Sequence, residues 1–411
     1  MWKTKVMKKF KIVIVGGGAA GISTASSILK RDPQANIAII DPADTNYYQP
    51  GWTMVGGGIF DAPSTAKPMA SVMPKNVTWL KNAVVRFVPD HNTVVLSNQE
   101  EVGYDVLVVC PGIQLNWSAI EGLEDTLGKN GVTSNYRYDL APYTWQLVQE
   151  LKQGKAIFTQ PPMPIKCAGA PQKAMYLSAD HWQKQGCLQQ ISIDFCNAGA
   201  ALFGVKDYVP ALMQYIERYG VNLCFEEQLI KVDGIAKKAW FKTKTGIIEK
   251  PFDMLHVVPP QQTPECIRTS TLVDEKGWVS VHPETLQHTI YSNIFALGDV
   301  VNTTNAKTAA AARKQAPVVA VNVLAFLNQS ADFYAYDGYG SCPLTVERGK
   351  IVLAEFGYGG KLMPTFPAWF LDGRQPTALA WFLKAKLLPY IYWEGMLKGQ
   401  EWFVKPNKKY Q

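Results

Sequence analysis

The sequence predicts an α/β protein in which two nucleotide-binding-type domains interleave and an aromatic-rich region closes the chain. Three observations carry this reading. A strand–glycine turn–helix–strand unit opens the sequence between Lys11 and Asp41. A second buried strand, Ile191-Ser192-Ile193-Asp194-Phe195, begins a similar but altered unit in the middle. An apolar strand ending in Gly298-Asp299 returns late, ahead of a helix and a stretch crowded with Trp, Tyr and Phe. The fold class is α/β, with two interleaved Rossmann-like domains plus a C-terminal membrane-associating region. The first domain takes residues 8–115 and 287–330, the second 116–286, and the last region 331–411.

The first unit is the most complete. Lys11-Ile12-Val13-Ile14-Val15 is an apolar β-branched run, the pattern of a strand buried on both faces. Gly16-Gly17-Gly18-Ala19-Ala20-Gly21 follows, then an Ala- and Ser-rich helix over Ile22–Lys30. Gly16 allows the tight turn, Gly18 lets backbone approach a pyrophosphate, and Gly21 lets helix and strand pack closely. The N–H groups of Ala19 and Ala20 open the helix toward an anion. Asn36-Ile37-Ala38-Ile39-Ile40 is the second strand, and Asp41, 20 residues past Gly21 (41 − 21), suits a ribose hydroxyl.

Composition bounds the rest. The 411 residues are 47% hydrophobic and 18% charged, enough for two or three packed domains and against disorder. The net charge of +7 suits an anionic surface or an anionic substrate. No basic stripe favours nucleic acid, and Lys3 to Lys11 read as a solvated lead-in to the first strand. Seven cysteines, an odd number in a long chain, argue against a secreted disulfide scaffold. No apolar h-region precedes the first strand and no apolar run reaches ~18 residues, so neither a leader nor a spanning helix is expected. The five histidines lack metal-ligand spacing, so no metal is expected.

Two further segments resemble the FAD fingerprints of two-dinucleotide-domain flavoproteins. Tyr291-Ser292-Asn293-Ile294-Phe295-Ala296-Leu297-Gly298-Asp299 is similar to the late motif whose aspartate binds ribitol near the pyrophosphate. Tyr104-Asp105-Val106-Leu107-Val108-Val109-Cys110-Pro111-Gly112 is similar to the middle motif, with Cys-Pro-Gly in place of Ala-Thr-Gly. The resemblance implies FAD as cofactor. The family's NAD(P)H unit should follow Phe195, but Asn197 stands at its first glycine and Leu202 at its third. Both residues crowd the turn, so no nicotinamide site is expected.

Cys167 and Cys342 lie in the least generic stretches. Cys167 follows a proline-rich loop and precedes a helix predicted over Gln172–Gln185, between Lys166 and Lys173. A helix N-terminus and lysines both lower a thiol pKa. Cys342 follows a Gly/Tyr/Ser turn and leads into a strand predicted over Leu344–Leu353. The other five cysteines read as structural.

These stretches, with Tyr47-Tyr48-Gln49-Pro50-Gly51-Trp52-Thr53, Phe203-Gly204-Val205-Lys206, Met254-Leu255-His256-Val257 and Lys307-Thr308-Ala309-Ala310-Ala311, resemble the sulfide:quinone oxidoreductases of mitochondrial type. The resemblance runs from about Lys11 to about Lys398. It implies that Cys167 and Cys342 form a redox disulfide or trisulfide beside the flavin. Cys167 then faces the flavin and Cys342 holds the outgoing persulfide. Hydrogen sulfide is the substrate and a ubiquinone-type quinone the electron acceptor. A small nucleophile (glutathione, sulfite, cyanide or sulfide) takes the sulfur. Pro50 and Trp52 are expected to line the flavin or the sulfide channel, and Gln49 and Pro50 to belong to the cofactor site. Lys307, opening the next helix, is expected near the flavin pyrimidine edge.

From 364 to 404, ten aromatic residues accompany Lys384, Lys386 and Lys398, a composition suited to a headgroup boundary. The resemblance implies a monotopic protein, and a bacterial inner membrane, cytoplasmic side, is expected. The same aromatics equally suit an ordinary core or a homodimer interface. Two rival readings are a flavocytochrome-c-type sulfide dehydrogenase and a non-catalytic FAD-binding interaction protein.

Overall fold

A computed structural model describes residues 7–406, 409 and 410. Lys3 and Lys5 of the basic lead-in lie outside the described residues. The β-branched run forms β1 (Lys8–Val15), followed by α1 (Ala19–Arg31), β2 (Ile37–Ile40) and β3 (Glu101–Val109). β1 pairs in parallel with both, Ile12 opposite Ile37 and Val106. Val13, Ile14, Ile39, Val106 and Val108 are fully buried, so this sheet is covered on both faces, as a parallel sheet requires.

The second domain repeats the scheme. β4 (Gly154–Gln160) leads to α2 (Ala170–Lys184), then β5 (Ile191–Asn197) and β6 (Val221–Phe225). β7 (Gly246–Pro251) belongs to a three-stranded antiparallel sheet, and β8 (Met254–His256) rejoins the parallel one beside β4. α2 starts two residues earlier than the predicted Gln172, which brings Cys167 closer to the helix start. The chain then returns to the first sheet as β9 (Ile294–Ala296), which pairs with β3, and continues into α3 (Ala309–Leu327).

The last region is not a separate layer. β10 (Gly340–Glu347) and β11 (Lys350–Phe356) form a hairpin. Cys342 therefore sits inside a strand, and the single strand predicted over Leu344–Leu353 is broken by a turn at Gly349 (φ +108°). One hairpin face, with Cys342, Leu344 and Val346, joins the core of the second domain. Further on, Tyr392, Trp393, Met396 and Leu397 join the core of the first. Tyr392 and Trp393 are thus core residues, because their rings fill space beside Tyr48 and Lys67.

Candidate active site

The dinucleotide cradle is built by backbone. Gly16 adopts φ +108°, and a Cβ there would lie 2.5 Å from the Cys110 carbonyl oxygen. A Cβ on Gly21 would fall 1.9 Å from the Gly16 oxygen, so helix and strand touch through glycine alone. Gly18 is different: a Cβ there would meet nothing within 4 Å, which leaves open space where a pyrophosphate must approach. The N-terminus of α1 has no side-chain cap, so its first N–H groups are free for phosphate. Asp41 accepts from Gly17 N–H at 2.6 Å and stands at the tip of β2 beside the turn. Its remaining lone pairs can take ribose hydroxyls. Gly298 (φ +80°) brings its turn to within 3.4 Å of the Ala20 Cβ, were it to carry one, so the late Gly298-Asp299 motif meets the start of α1. Gly112 (φ +77°) opens the turn after β3 without obstruction. These residues fit a dinucleotide.

The two cysteines meet where the C-terminal hairpin packs on the second domain. Cys167 Sγ lies 3.7 Å from Cys342 Sγ. Cys167 adopts φ +49°, a left-handed conformation uncommon for a residue with a side chain. Its backbone is held from three sides. Cys167 N–H donates to the Lys307 carbonyl at 2.8 Å, Ala170 N–H donates to the Cys167 carbonyl at 2.7 Å, and the Tyr136 hydroxyl donates to the Lys166 and Cys167 carbonyls at 3.0 and 3.2 Å. Gly169 makes room for the second sulfur, since a Cβ there would sit 2.4 Å from Cys342 Sγ.

The two thiols titrate as a pair with opposite tendencies. The hydrogen bond from Cys342 is the largest influence holding the Cys167 thiol well below its ordinary value, and the charge and hydrogen bond of Lys173, 3.3 Å away, add to it. The same contact, followed by burial, pushes Cys342 well above. One thiolate, on Cys167, is what the pair favours.

The remaining expected site residues fall in two groups. The Gln49 amide oxygen accepts from Lys166 Nζ at 2.8 Å, so Lys166 points to this loop and Lys173, not Lys166, reaches the sulfur. The Pro50 carbonyl accepts from Lys384 Nζ at 2.8 Å. Lys307 does not open α3. Thr308 caps that helix by accepting from Ala311 N–H, and Lys307 Nζ donates to the Asp299 and Val301 carbonyls at 2.8 and 2.6 Å, over the Trp278 ring. Its ammonium therefore braces the Gly298–Val300 turn, while its carbonyl anchors Cys167.

Lys384 is the functional candidate that sequence reasoning misplaced. It was expected at a headgroup boundary, yet it is 2% exposed and its charge acts on Cys167. Burial, then repulsion from Lys173, pushes its pKa down to about 7. A π-helical segment, Leu383–Leu387, turns it inward. The signal was legible: residues three and four away are Ala380, Trp381, Leu387 and Leu388, so Lys384 stands alone on an apolar face.

In the altered unit after β5, Asn197 Nδ2 donates to the Ala201 carbonyl and its Oδ1 accepts from Gly199 N–H. Leu202 is buried in the core. The loop closes on itself where a phosphate-binding helix would begin, and the next α-helix starts only at Val209.

Fold and site together define a two-domain flavoprotein oxidoreductase with a close cysteine pair. A family model described as pyridine nucleotide-disulphide oxidoreductase matches residues 10–150. The mitochondrial sulfide:quinone oxidoreductase of Dictyostelium discoideum is 43% identical over 406 residues, covering 98% of this chain and 89% of that protein. Its namesake in Mus musculus is 36% identical over 395 residues, covering 95% and 87%. The X-ray structure of the sulfide:quinone oxidoreductase from Aquifex aeolicus shares the fold, with a TM-score of 0.79 at 20% identity over 98% of this chain and 97% of that one. The chain belongs to the sulfide:quinone oxidoreductase family, and it is an FAD-binding oxidoreductase. Both named relatives are mitochondrial, so the bacterial membrane expected from the sequence finds no support among them.

Proposed function

We propose that this protein oxidises hydrogen sulfide through a Cys167/Cys342 bridge and passes the electrons through FAD to a quinone. The observation that carries the cysteine assignment is the 3.7 Å approach of the two sulfurs beside the Lys307 carbonyl and α3. Hydrosulfide attacks the Cys342 sulfur of the bridge. The S–S bond breaks, Cys342 becomes a persulfide and Cys167 leaves as a thiolate. The Lys173 ammonium, 3.3 Å from Cys167 Sγ, supports this direction, because the sulfur whose thiolate is better stabilised is the better leaving group. Lys173 and Lys384 hold the thiolate charge. A small nucleophile, for which glutathione, sulfite, cyanide and sulfide all qualify, then takes the outer sulfur and leaves a Cys342 thiolate. FAD, when bound, supplies the two-electron sink that lets the bridge re-form and the carrier that reaches quinone. Gly16, Gly18, Ala19, Ala20, Gly21, Asp41, Gly112, Gly298 and Asp299 hold it. Gln49 and Pro50 support the site by orienting Lys166 and Lys384.

Quinone reaches the site from a membrane surface on which the protein rests. Trp369 (86% exposed), Phe403 (83%), Phe370, Phe382 and Tyr390 support this reading. No helix among the described residues is long and apolar enough to cross a membrane.

The test is quinone reduction by purified protein given sulfide and decylubiquinone. Activity is expected in wild type and lost in Cys167→Ser and in Cys342→Ser. Wild-type rates surviving in both variants sink the dithiol mechanism. Reduction of a c-type haem in preference to quinone favours the sulfide-dehydrogenase reading, and no turnover with any acceptor favours a non-catalytic role.

A further inference from the structure

A second pair of cysteines lies outside this site. Cys196 on β5 and Cys224 on β6 are direct register partners in the parallel sheet. Neighbouring strands run ~4.8 Å apart, inside the ~4.4–6.8 Å Cα range of a disulfide. Their sulfurs and an Asp194 carboxylate oxygen all lie within 4.8 Å of one another. Lys250, from β7, places Nζ 3.2 Å from Cys224 Sγ, 3.6 Å from Cys196 Sγ and 3.3 Å from Asp194 Oδ2. It also pairs with Glu227 at 2.8 Å. The ammonium thus occupies the seat a metal ion would take among these three donors. Cys196 is fully buried and Cys224 half-buried, so one sulfur is open to attack partners and the other waits behind it. The sulfide reaction proposed above uses neither cysteine, and the sequence reads both as structural.

We propose that Cys224, Cys196 and Lys250 form a second dithiol site, at which Cys224 reacts with small electrophilic sulfur compounds and Cys196 resolves the adduct. The substrate class is R–S–S–R′, where R′ is a second thiol residue or hydrogen. Cys224 thiolate attacks one sulfur, forms a mixed disulfide and releases R′–S⁻. The Cys196 thiol then attacks Cys224 sulfur, forms the Cys196–Cys224 bridge and releases R–SH. The dithiol loses two electrons and the small S–S bond gains them. Lys250 supports the first step by holding Cys224 as thiolate. The hydrogen bond to Cys196 is the largest influence lowering the Cys224 thiol to about 7, with the Lys250 contact next among the lowering ones. That same bond, together with burial, keeps Cys196 protonated. The half-buried, low-pKa Cys224 is suited to the first attack; once it is in the mixed disulfide its hydrogen bond with Cys196 is gone, and Lys250, 3.6 Å from Cys196 Sγ, favours the Cys196 thiolate for the second attack as the departing sulfur takes up the proton.

The test uses full-length, FAD-loaded protein carrying Cys167→Ser and Cys342→Ser, so that the catalytic pair cannot respond. With glutathione disulfide at pH 7, peptide mapping should find the Cys196–Cys224 bridge. Adding Cys196→Ser should halt the reaction at a mixed disulfide on Cys224. Adding Cys224→Ser should abolish both products. Glutathione persulfide, as the second arm, should give the same bridge with release of hydrogen sulfide; a bridge in one arm only assigns R′. Lys250→Met should slow iodoacetamide alkylation of Cys224 about tenfold at pH 7, with Lys250→Arg close to wild type. Retained flavin absorbance certifies the fold of each variant. Alkylation of Cys224 no faster than that of Cys266, or adducts on Cys187 or Cys266 in place of Cys224, overturns the proposal.

Discussion

At the residue scale, the site works by setting one sulfur against another. Cys167 is pulled toward thiolate by Cys342, Lys173 and Lys384, and Cys342 is pushed toward thiol by the same contact. Removing Lys384 should therefore raise the Cys167 pKa. In Lys384→Met, the pH midpoint of iodoacetamide alkylation of reduced Cys167 should move upward; an unchanged midpoint would place Lys384 outside the site. The lysine also has a stability signature. Its folded pKa is about 7 against an ordinary 10.5, so between those values the unfolded chain holds a proton that the folded chain lacks. Stability contributed by this group thus rises with pH across that window. The rise in Tm from pH 7 to pH 10 should flatten in Lys384→Met. Gly169 gives a steric counterpart. An Ala Cβ would sit 2.4 Å from the Cys342 sulfur, so Gly169→Ala should cost ~1–3 kcal/mol by overpacking and slow sulfide oxidation more than FAD loading.

At the element scale, the turns before α1 and after β5 differ in the space they leave. The turn before α1 is open at Gly18, the place proposed for the pyrophosphate, so Gly18→Asp should expel FAD: the Cβ fits, but the carboxylate repels phosphate. Loss of the flavin absorbance spectrum with retained far-ultraviolet circular dichroism is the expected result. The corresponding turn after β5 is closed by Asn197 and plugged by Leu202. NADH should accordingly fail to bleach the bound flavin; anaerobic bleaching at rates near those with sulfide would refute this account of the loop. Both turns were legible in the sequence, because a glycine motif states its own steric requirement residue by residue. The hairpin that carries Cys342 was less legible. Periodicity ran through Gly349, and only the backbone turn there separates β10 from β11.

At the scale of the whole molecule, the C-terminal region links the two domains. Its hairpin packs Cys342 against the second domain, while Tyr392 and Trp393 pack into the first and the Arg31–Glu401 ion pair fastens its end to α1. Its exposed aromatic residues include Trp369, Phe370, Phe382, Tyr390 and Phe403. Replacing Trp369, Phe370 and Phe403 together by Ser should release the protein from anionic vesicles in a flotation assay. Sulfide reduction of bound FAD should continue, because none of the three touches the cysteines. The residues read in order carried the two Rossmann-like units, the glycine turn before α1, the altered turn after β5 and the two cysteine stretches. All of these are local patterns, written in consecutive residues whose spacing is the physical requirement. Only the folded chain settles that Lys173 and not Lys166 faces the sulfur, that Lys307 braces a turn, and which site the inward-facing Lys384 serves. It alone joined Cys196 to Cys224 under Lys250. These depend on which residues from distant strands and helices share one small buried volume, and a linear pattern does not carry that information.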